Sequence, residues 1–291
     1  MTETRGILPR GGTILGTTRG SPLDTADGPQ RVLDVLSRHR VDALIVIGGN
    51  GSLTVAEHLY REYGIPVLGV PKTIDNDVVG TDRTFGFATA VQVATDAIDR
   101  LHSTAESHDR VMVVELMGRH AGWIAAHAGI AGGATTVLVP ERPYSLDRVA
   151  EAIRTRHLRG RYASIVVVAE GARAEGREAA TGERPKDRFG HEILDGVGHA
   201  VGRAIADLTG FEARVVVLGH VQRGGTPVAE DRVLATRMGA CVVDVAHSGQ
   251  FGHMVALRGV EVAAVPLAEA SGRTRVLDLS EFANIGSVTF G

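Results

Sequence analysis

Six short stretches of the chain are apolar at almost every position: 43–47 (ALIVI), 65–70 (IPVLGV), 111–115 (VMVVE), 136–139 (TVLV), 165–169 (IVVVA) and 215–218 (VVVL). They lack the polar alternation of a half-exposed sheet, which predicts parallel strands covered on both faces. Helical patterns lie between them. Residues 52–63 place Ala56, Leu59, Tyr60 and Tyr63 at helical spacing, with Ser52 as the expected N-cap and Gly64 as the stop. Residues 145–157 and 193–208 show similar periodicity, the second followed by Thr209 and Gly210. Strands alternating with helices imply right-handed crossovers and an α/β, doubly wound sheet.

A length of 291 residues allows two domains or one large α/β unit. A hydrophobic share of 44% and a charged share of 22% are ordinary for a soluble protein. The net charge of −3 gives no electrostatic reason to expect a nucleic-acid partner. The single cysteine, Cys241, sits in the apolar run CVVDVA, reads as packing, and excludes an internal disulfide. No apolar run approaches the ~18 residues that span a bilayer, and the N-terminus lacks a signal peptide's apolar core. A cytoplasmic protein without a membrane or nucleic-acid partner is expected. Residues 170–190 are charged and glycine-rich and read as a surface loop. The chain opens on a glycine-rich basic loop, whereas a doubly wound domain begins with a strand and a turn.

In open parallel sheets ligands bind beyond the carboxyl ends of the strands. Here those ends are followed by GGNGS (48–52), PKTIDND (71–77), LMGRH (116–120), Glu170-Gly171 and GHVQRGG (219–225). Polar, phosphate-compatible groups are therefore expected to collect on one rim. GGNGS reads equally as an anion-binding turn at a helix N-terminus and as a plain strand–helix turn. No G-x-x-x-x-G-K-[ST] occurs, so the chain is not a P-loop kinase by motif. TIDND could be an Asx-turn. However, aspartates two apart can hold Mg²⁺ and accept a hydroxyl proton, and Lys72, one of only two lysines in the chain, would place positive charge near a transferring phosphoryl group. Arg110, Arg119, Arg214 and Arg223 lie at strand starts or ends and together suggest an anionic substrate. His220 could donate to phosphate or sugar, and Glu170 could accept sugar hydroxyls. The residues alone point to phosphoryl transfer onto a phosphorylated, hydroxyl-bearing small molecule.

GGNGS, PKTIDND, VVELMGRHAGW, VVVAEG and VVVLGHVQRGGTPVAEDR, in this order and spacing, resemble the phosphofructokinases of glycolysis, and the resemblance runs from Gly11 along nearly the whole chain. It implies two doubly wound domains with mainly parallel sheets: residues 1–86 plus 222–270 for the phosphoryl donor, 87–221 for fructose 6-phosphate, and a C-terminal segment, 271–291. It also implies ATP as co-substrate, Mg²⁺, and a homo-oligomer, dimer or tetramer, with sites shared between subunits. By position, Asp75 corresponds to the base for the 1-hydroxyl, Thr73 contacts the sugar phosphate, and Asp77 serves the metal. Arg119 corresponds to the transition-state arginine, while Met117 and Gly118 shape the sugar pocket and Glu170 accepts sugar hydroxyls. His220 and Arg223 would hold the 6-phosphate, which Arg110 and Arg214 would reach from a neighbouring subunit. Arg19, Gly49, Gly51, Ser52 and Lys72 fall to the donor.

In this family a glycine at the position of Gly51 leaves room for a nucleotide α-phosphate, while a lysine at the position of Lys72 is typical of pyrophosphate users. The resemblance places the chain in a lysine-containing branch of mixed ancestry, with ATP favoured and diphosphate as the alternative. Two departures touch the donor side. The family's N-terminal strand and glycine-rich turn, at least ~30 residues, are not present, and a fragment or misplaced start is the expected reason. Asn50 stands where ATP users carry a metal-binding aspartate. A catalytically impaired sugar-phosphate-binding subunit is the remaining alternative.

Overall fold

The computed structural model describes residues 4–18, 20–176, 196–282 and 288–290. In chain order the elements are α1 (Gly28–His39), β1 (Leu44–Gly48), α2 (Asn50–Tyr63), β2 (Val67–Thr73), β3 (Phe85–Gly86), α3 (Phe87–His108), β4 (Val111–Leu116), α4 (Trp123–Ala131), β5 (Thr136–Leu138), α5 (Leu146–Leu158), β6 (Ser164–Ala169), α6 (Val197–Thr209), β7 (Ala213–Val217), α7 (Ala229–His247), β8 (His253–Arg258), β9 (Glu261–Pro266), α8 (Leu267–Ala270) and β10 (Thr289–Phe290). The chain divides into two compact units, Met1–Ala88 with Thr226–Arg275, and Thr89–Gly225 with Val276–Gly291.

The sheet of the first unit has the order β1-β2-β8-β9, with β3 also pairing β2. β1, β2 and β8 run parallel, while β9 returns antiparallel to β8. Leu53, Ala56 and Leu59 of α2 pack with Leu267 and Met254 on one face, joined by α1 through Val32, Leu33 and Leu36. Leu234, Met238, Val242 and Val245 of α7 cover Leu68, Val70 and Val255 on the other. Side chains of β2 therefore enter helix-covered cores on both sides, which explains why its apolar run has no alternation. β1 differs: Val46 packs inward, but Ile45 and Ile47 are 42% and 48% exposed. A uniformly apolar run did not guarantee two covered faces at this edge strand.

The sheet of the second unit is parallel throughout, in the order β10-β5-β6-β4-β7. β4 and β6 are buried along their whole length. α5 and α6 pack together over Val111, Val113, Val166 and Val168. α4 lies against β5 and β6. It is buried almost all round, so its sequence WIAAHAGIA carries no amphipathic signal.

Several expected boundaries shift. α2 begins at Asn50 with Gly49 as its N-cap, so Ser52 lies inside the first turn instead of capping it. Gly64 ends α2 in the left-handed conformation, as expected. Ser145 caps α5 by accepting from the Arg148 N–H. α6 is described from Val197, so residues 193–195 of the expected helix, and residues 177–190 of the expected loop, lie outside the described residues. Among the described residues no helix is long and apolar enough to cross a membrane.

Met238 is fully buried and Val233, on the same helix, is 58% exposed. Met238→Ala is expected to destabilise the fold by about 2–5 kcal/mol through lost burial and a residual cavity, whereas Val233→Thr shifts it by about 0.5 kcal/mol or less. The midpoints of urea unfolding curves check the contrast.

Candidate active site

The polar segments that follow the strands belong to two separate sheets. GGNGS and PKTIDND leave β1 and β2 of the first unit; LMGRH, Glu170 and GHVQRGG leave β4, β6 and β7 of the second. The single rim expected from sequence is thus two rims, each beyond the carboxyl ends of its own parallel strands.

In the first unit, the turn from β1 to α2 is tight enough to dictate its residues. A Cβ on Gly48 would lie 2.5 Å from the Ser52 Oγ, so no side chain fits. At Gly51 a Cβ would meet nothing within 4 Å, so this exposed position opens onto free space. α2 has no acidic residue in its first turn, leaving the positive end of its dipole uncompensated there. Gly49 lies against β2, since its Cβ would sit 3.3 Å from the Thr73 Cβ. Lys72 is exposed at the end of β2.

The Thr73 hydroxyl accepts from the Asp75 N–H at 3.1 Å and donates to Asp75 Oδ2 at 3.3 Å. This exchange turns the chain sharply and fixes the Asp75 carboxylate beside the strand end. Asn76 follows with φ 52°, a left-handed conformation that asparagine tolerates better than most residues. Its Oδ1 accepts from the Thr84 N–H at 3.0 Å, and the Thr84 hydroxyl donates to the Thr73 carbonyl at 2.8 Å. Asn50 completes the group, its Nδ2 donating to the Asp77 carbonyl at 3.1 Å. Burial first, and the neighbouring Asp75 charge second, push the Asp77 carboxyl up to about 6.

The resemblance implies Mg²⁺, and these residues fit the ion. Asn50 Oδ1 is buried without a hydrogen-bond partner, while Asp75 and Asp77 repel each other across one turn. A divalent cation would satisfy the orphaned oxygen and offset both charges. No group of three or more His, Cys, Asp or Glu side chains among the described residues forms a dedicated cage.

In the second unit, β4 delivers Met117, Gly118 and Arg119. Gly118 has φ 142°, where a Cβ would also lie 2.8 Å from the Ala121 carbonyl oxygen, so glycine is required. The Glu170 N–H donates to the Leu116 carbonyl at 2.8 Å and the Gly171 N–H to the Gly118 carbonyl at 3.0 Å. Glu170 and Arg119 are thereby held on adjacent strand ends, both half-buried. Beyond β7, the Leu218 N–H donates to the Glu115 carbonyl at 3.1 Å, and a 3-10 turn (Gly219–Arg223) exposes His220 and Arg223 around the buried Gln222. Met117, Gly118, Arg119, Glu170, His220 and Arg223 therefore gather at the carboxyl edge of neighbouring strands.

Arg110 and Arg214 do not join them. They flank the amino ends of β4 and β7, on the opposite edge, where both pair with Glu212, Arg110 through Nε at 2.7 Å. Those guanidinium groups, Arg110 foremost, hold the Glu212 carboxyl below its ordinary value. Arg19 lies outside the described residues.

Sequence reasoning missed four groups here. Asn76 and Thr84 brace the aspartate turn; the asparagine between two aspartates was a readable signal for a left-handed residue. Glu115, buried in β4, accepts from the Gly198 N–H at 2.7 Å and satisfies the start of α6. Glu141 accepts from the Gly122 N–H at the start of α4 and from the Leu277 N–H of the C-terminal segment. Neither glutamate sits in a pattern that distinguishes a cap from a ligand.

Comparison with known proteins gives the family and the fold. A family model described as Phosphofructokinase matches residues 1–246. A pyrophosphate–fructose 6-phosphate 1-phosphotransferase of Streptomyces coelicolor is 54% identical over 287 residues, covering 99% of this chain and 83% of that protein. An ATP-dependent 6-phosphofructokinase of Chloroflexus aggregans is 54% identical over 278 residues, covering 93% and 76%. The solved phosphofructokinase of Saccharomyces cerevisiae superposes with a TM-score of 0.78 at 33% identity, covering 91% of this chain, which spans 37% of the yeast chain. These are α/β phosphotransferase folds, and the chain belongs to the phosphofructokinase family.

The raised Asp77 value gives a test without substrate. Folding then favours the protonated carboxyl, so this stabilising contribution is present below the ordinary carboxylate range near 4 and is lost as pH rises through about 6. In metal-free buffer at pH 7.5, Asp77→Asn is expected to raise stability by up to about 3 kcal/mol. It should also flatten the pH 4–6 region of the stability curve. Melting temperatures measured across pH in chelator check both.

Proposed function

We propose that the chain transfers the terminal phosphoryl group of ATP to the 1-hydroxyl of fructose 6-phosphate, giving fructose 1,6-bisphosphate in the cytoplasm. The observation that carries this reading is the Thr73–Asp75 pair at the end of β2, a carboxylate that accepts from the Thr73 hydroxyl, which itself accepts from the Asp75 N–H. Asp75 accepts the 1-hydroxyl proton as the oxygen attacks in line, and Thr73 holds the carboxylate in register. The first unit serves the donor and the second serves the sugar phosphate. Gly49, Gly51 and Ser52 offer the uncompensated α2 N-terminus to donor phosphates, with Lys72 adding positive charge and Arg19 assigned to the transferred group. Mg²⁺, held by Asp77 and Asn50, would neutralise charge developing between donor phosphates. Arg119 stabilises the transferring group, Met117 and Gly118 shape the sugar pocket, Glu170 accepts sugar hydroxyls, and His220 with Arg223 binds the 6-phosphate.

The free space at Gly51 supports ATP, since nothing there obstructs an α-phosphate. A second reading, diphosphate as donor, is supported by Lys72 and by the Streptomyces coelicolor relative. Arg110 and Arg214, on the far edge of their sheet, suit a neighbouring subunit's 6-phosphate, so we assign the active form to a homo-oligomer, a dimer or tetramer.

Coupled assays with each donor decide between the readings. Turnover with MgATP and none with diphosphate is expected, and the reverse would install the diphosphate reading. Binding of fructose 6-phosphate without turnover on either donor would make the chain a silent subunit. Asp75→Asn is expected to lower kcat by ~10²–10⁴-fold, the usual share of a general base. Fructose 6-phosphate affinity should change little, and a large loss of affinity at unchanged kcat would remove Asp75 from the role.

A further inference from the structure

Arg275 closes the first unit and lies outside residues 1–246, the span matched by the family model. It belongs to none of the motifs that follow the strands. Even so, it returns across 199 positions of sequence to the aspartate turn. Its N–H donates to the Asp77 carbonyl at 2.7 Å. Its Nη1 donates to the Asp82 carbonyl at 2.9 Å and, more weakly, to the Asn76 carbonyl at 3.4 Å. A single residue thus supplies donors to three main-chain oxygens of one loop.

After Thr73 the chain leaves the β2 ladder, and its main-chain oxygens find partners elsewhere: those of the buried Asn76 and the exposed Asp82 on the Arg275 guanidinium, and that of the half-buried Asp77 on the Arg275 N–H and on Asn50 Nδ2. Donors on a guanidinium are charge-assisted and roughly twice as strong as neutral ones. The turn also carries the left-handed Asn76 between two carboxylates, an arrangement that persists only when its surroundings over-determine it. Thr84 and Asn50 brace it from two sides, and Arg275 spans it from Asn76 to Asp82.

We propose that Arg275 is a positioning residue for phosphoryl transfer: by clamping the carbonyls of Asn76, Asp77 and Asp82, it fixes the directions of the Asp75 and Asp77 carboxylates. It acts through the main chain. The inference rests on the phosphoryl-transfer reading only for the use made of that geometry.

The test combines a positional readout with a kinetic one on the full chain. In Arg275→Ala, amide hydrogen exchange should accelerate in peptides covering 73–84 and not in peptides from β8 or α2. The apparent Mg²⁺ half-saturation of turnover should rise about tenfold, the usual penalty for losing a group behind a metal ligand. Turnover should fall by up to about 10²-fold, as slight misplacement of reacting groups costs. Fructose 6-phosphate binding by calorimetry should be unchanged, and Arg275→Lys should recover part of kcat. If Arg275→Ala proves insoluble, Arg275→Gln, which keeps a side-chain NH₂ donor without the charge, is measured in the same way. Exchange that is unchanged, or faster throughout the first unit alike, overturns the proposal. So does unaltered kcat and Mg²⁺ dependence in folded variant. If the unmodified chain turns over with no donor, the functional reading falls while the exchange data still decide whether Arg275 clamps the turn.

Discussion

Two carboxylates of like charge, Asp75 and Asp77, are forced into one turn at the end of a buried strand. Burial and the Asp75 charge together hold the Asp77 carboxyl up to about 6. Left alone, such a turn would relax by swinging its aspartates apart into water. It is prevented from doing so by a left-handed Asn76 pinned to Thr84, by Asn50 on the Asp77 carbonyl, and by Arg275 across the loop. On the proposed function, these braces hold two negative charges where a cation and a phosphate can meet them.

The rest of the fold explains why the turn can be rigid. β2 lies between the helix-covered cores of the first unit, and its own main chain is locked to β1 and β8. A strand fixed on both faces and both edges ends at a defined point, so the residues that follow emerge in one place. The second unit uses the same device three times over. β4, β6 and β7 are adjacent, in register and parallel, and they bring Arg119, Glu170 and His220 to one edge. The close approach of Gly171 to the Arg119 carbonyl, 2.0 Å from where a Cβ would sit, shows how tightly those ends are joined.

Much of this was legible in the sequence because burial on both faces leaves a direct trace. The runs VMVVE and IVVVA have no polar alternation, and β4 and β6 proved buried at every position. The same rule erred at β1, where an edge strand left Ile45 and Ile47 exposed: apolar character records what a face is fit to contact, not what covers it. α4 escaped notice for the opposite reason, since a helix enclosed all round has no polar stripe to mark its period. The resemblance had divided the motif residues between two domains, but the apolar runs alone do not tell which sheet a strand joins. Hence one expected rim became two, and Arg110 and Arg214, grouped with Arg119 and Arg223 by charge, stand on the opposite edge beside Glu212. Arg275 was invisible for the same reason: its bonds to this turn are made to carbonyls, which every residue carries.

The central claim is that the turn is built to complete its electrostatics with a divalent cation beside Asn50 and Asp77. Mn²⁺ binding followed by electron paramagnetic resonance, in the presence of a non-hydrolysable donor analogue, measures this directly. Tight Mn²⁺ uptake by the unmodified chain, weakened at least tenfold by either Asn50→Leu or Asp77→Asn, is the expected result, in line with losses seen at metal sites. Equal uptake in all three proteins would show that the orphaned amide oxygen and the raised carboxyl serve some other purpose.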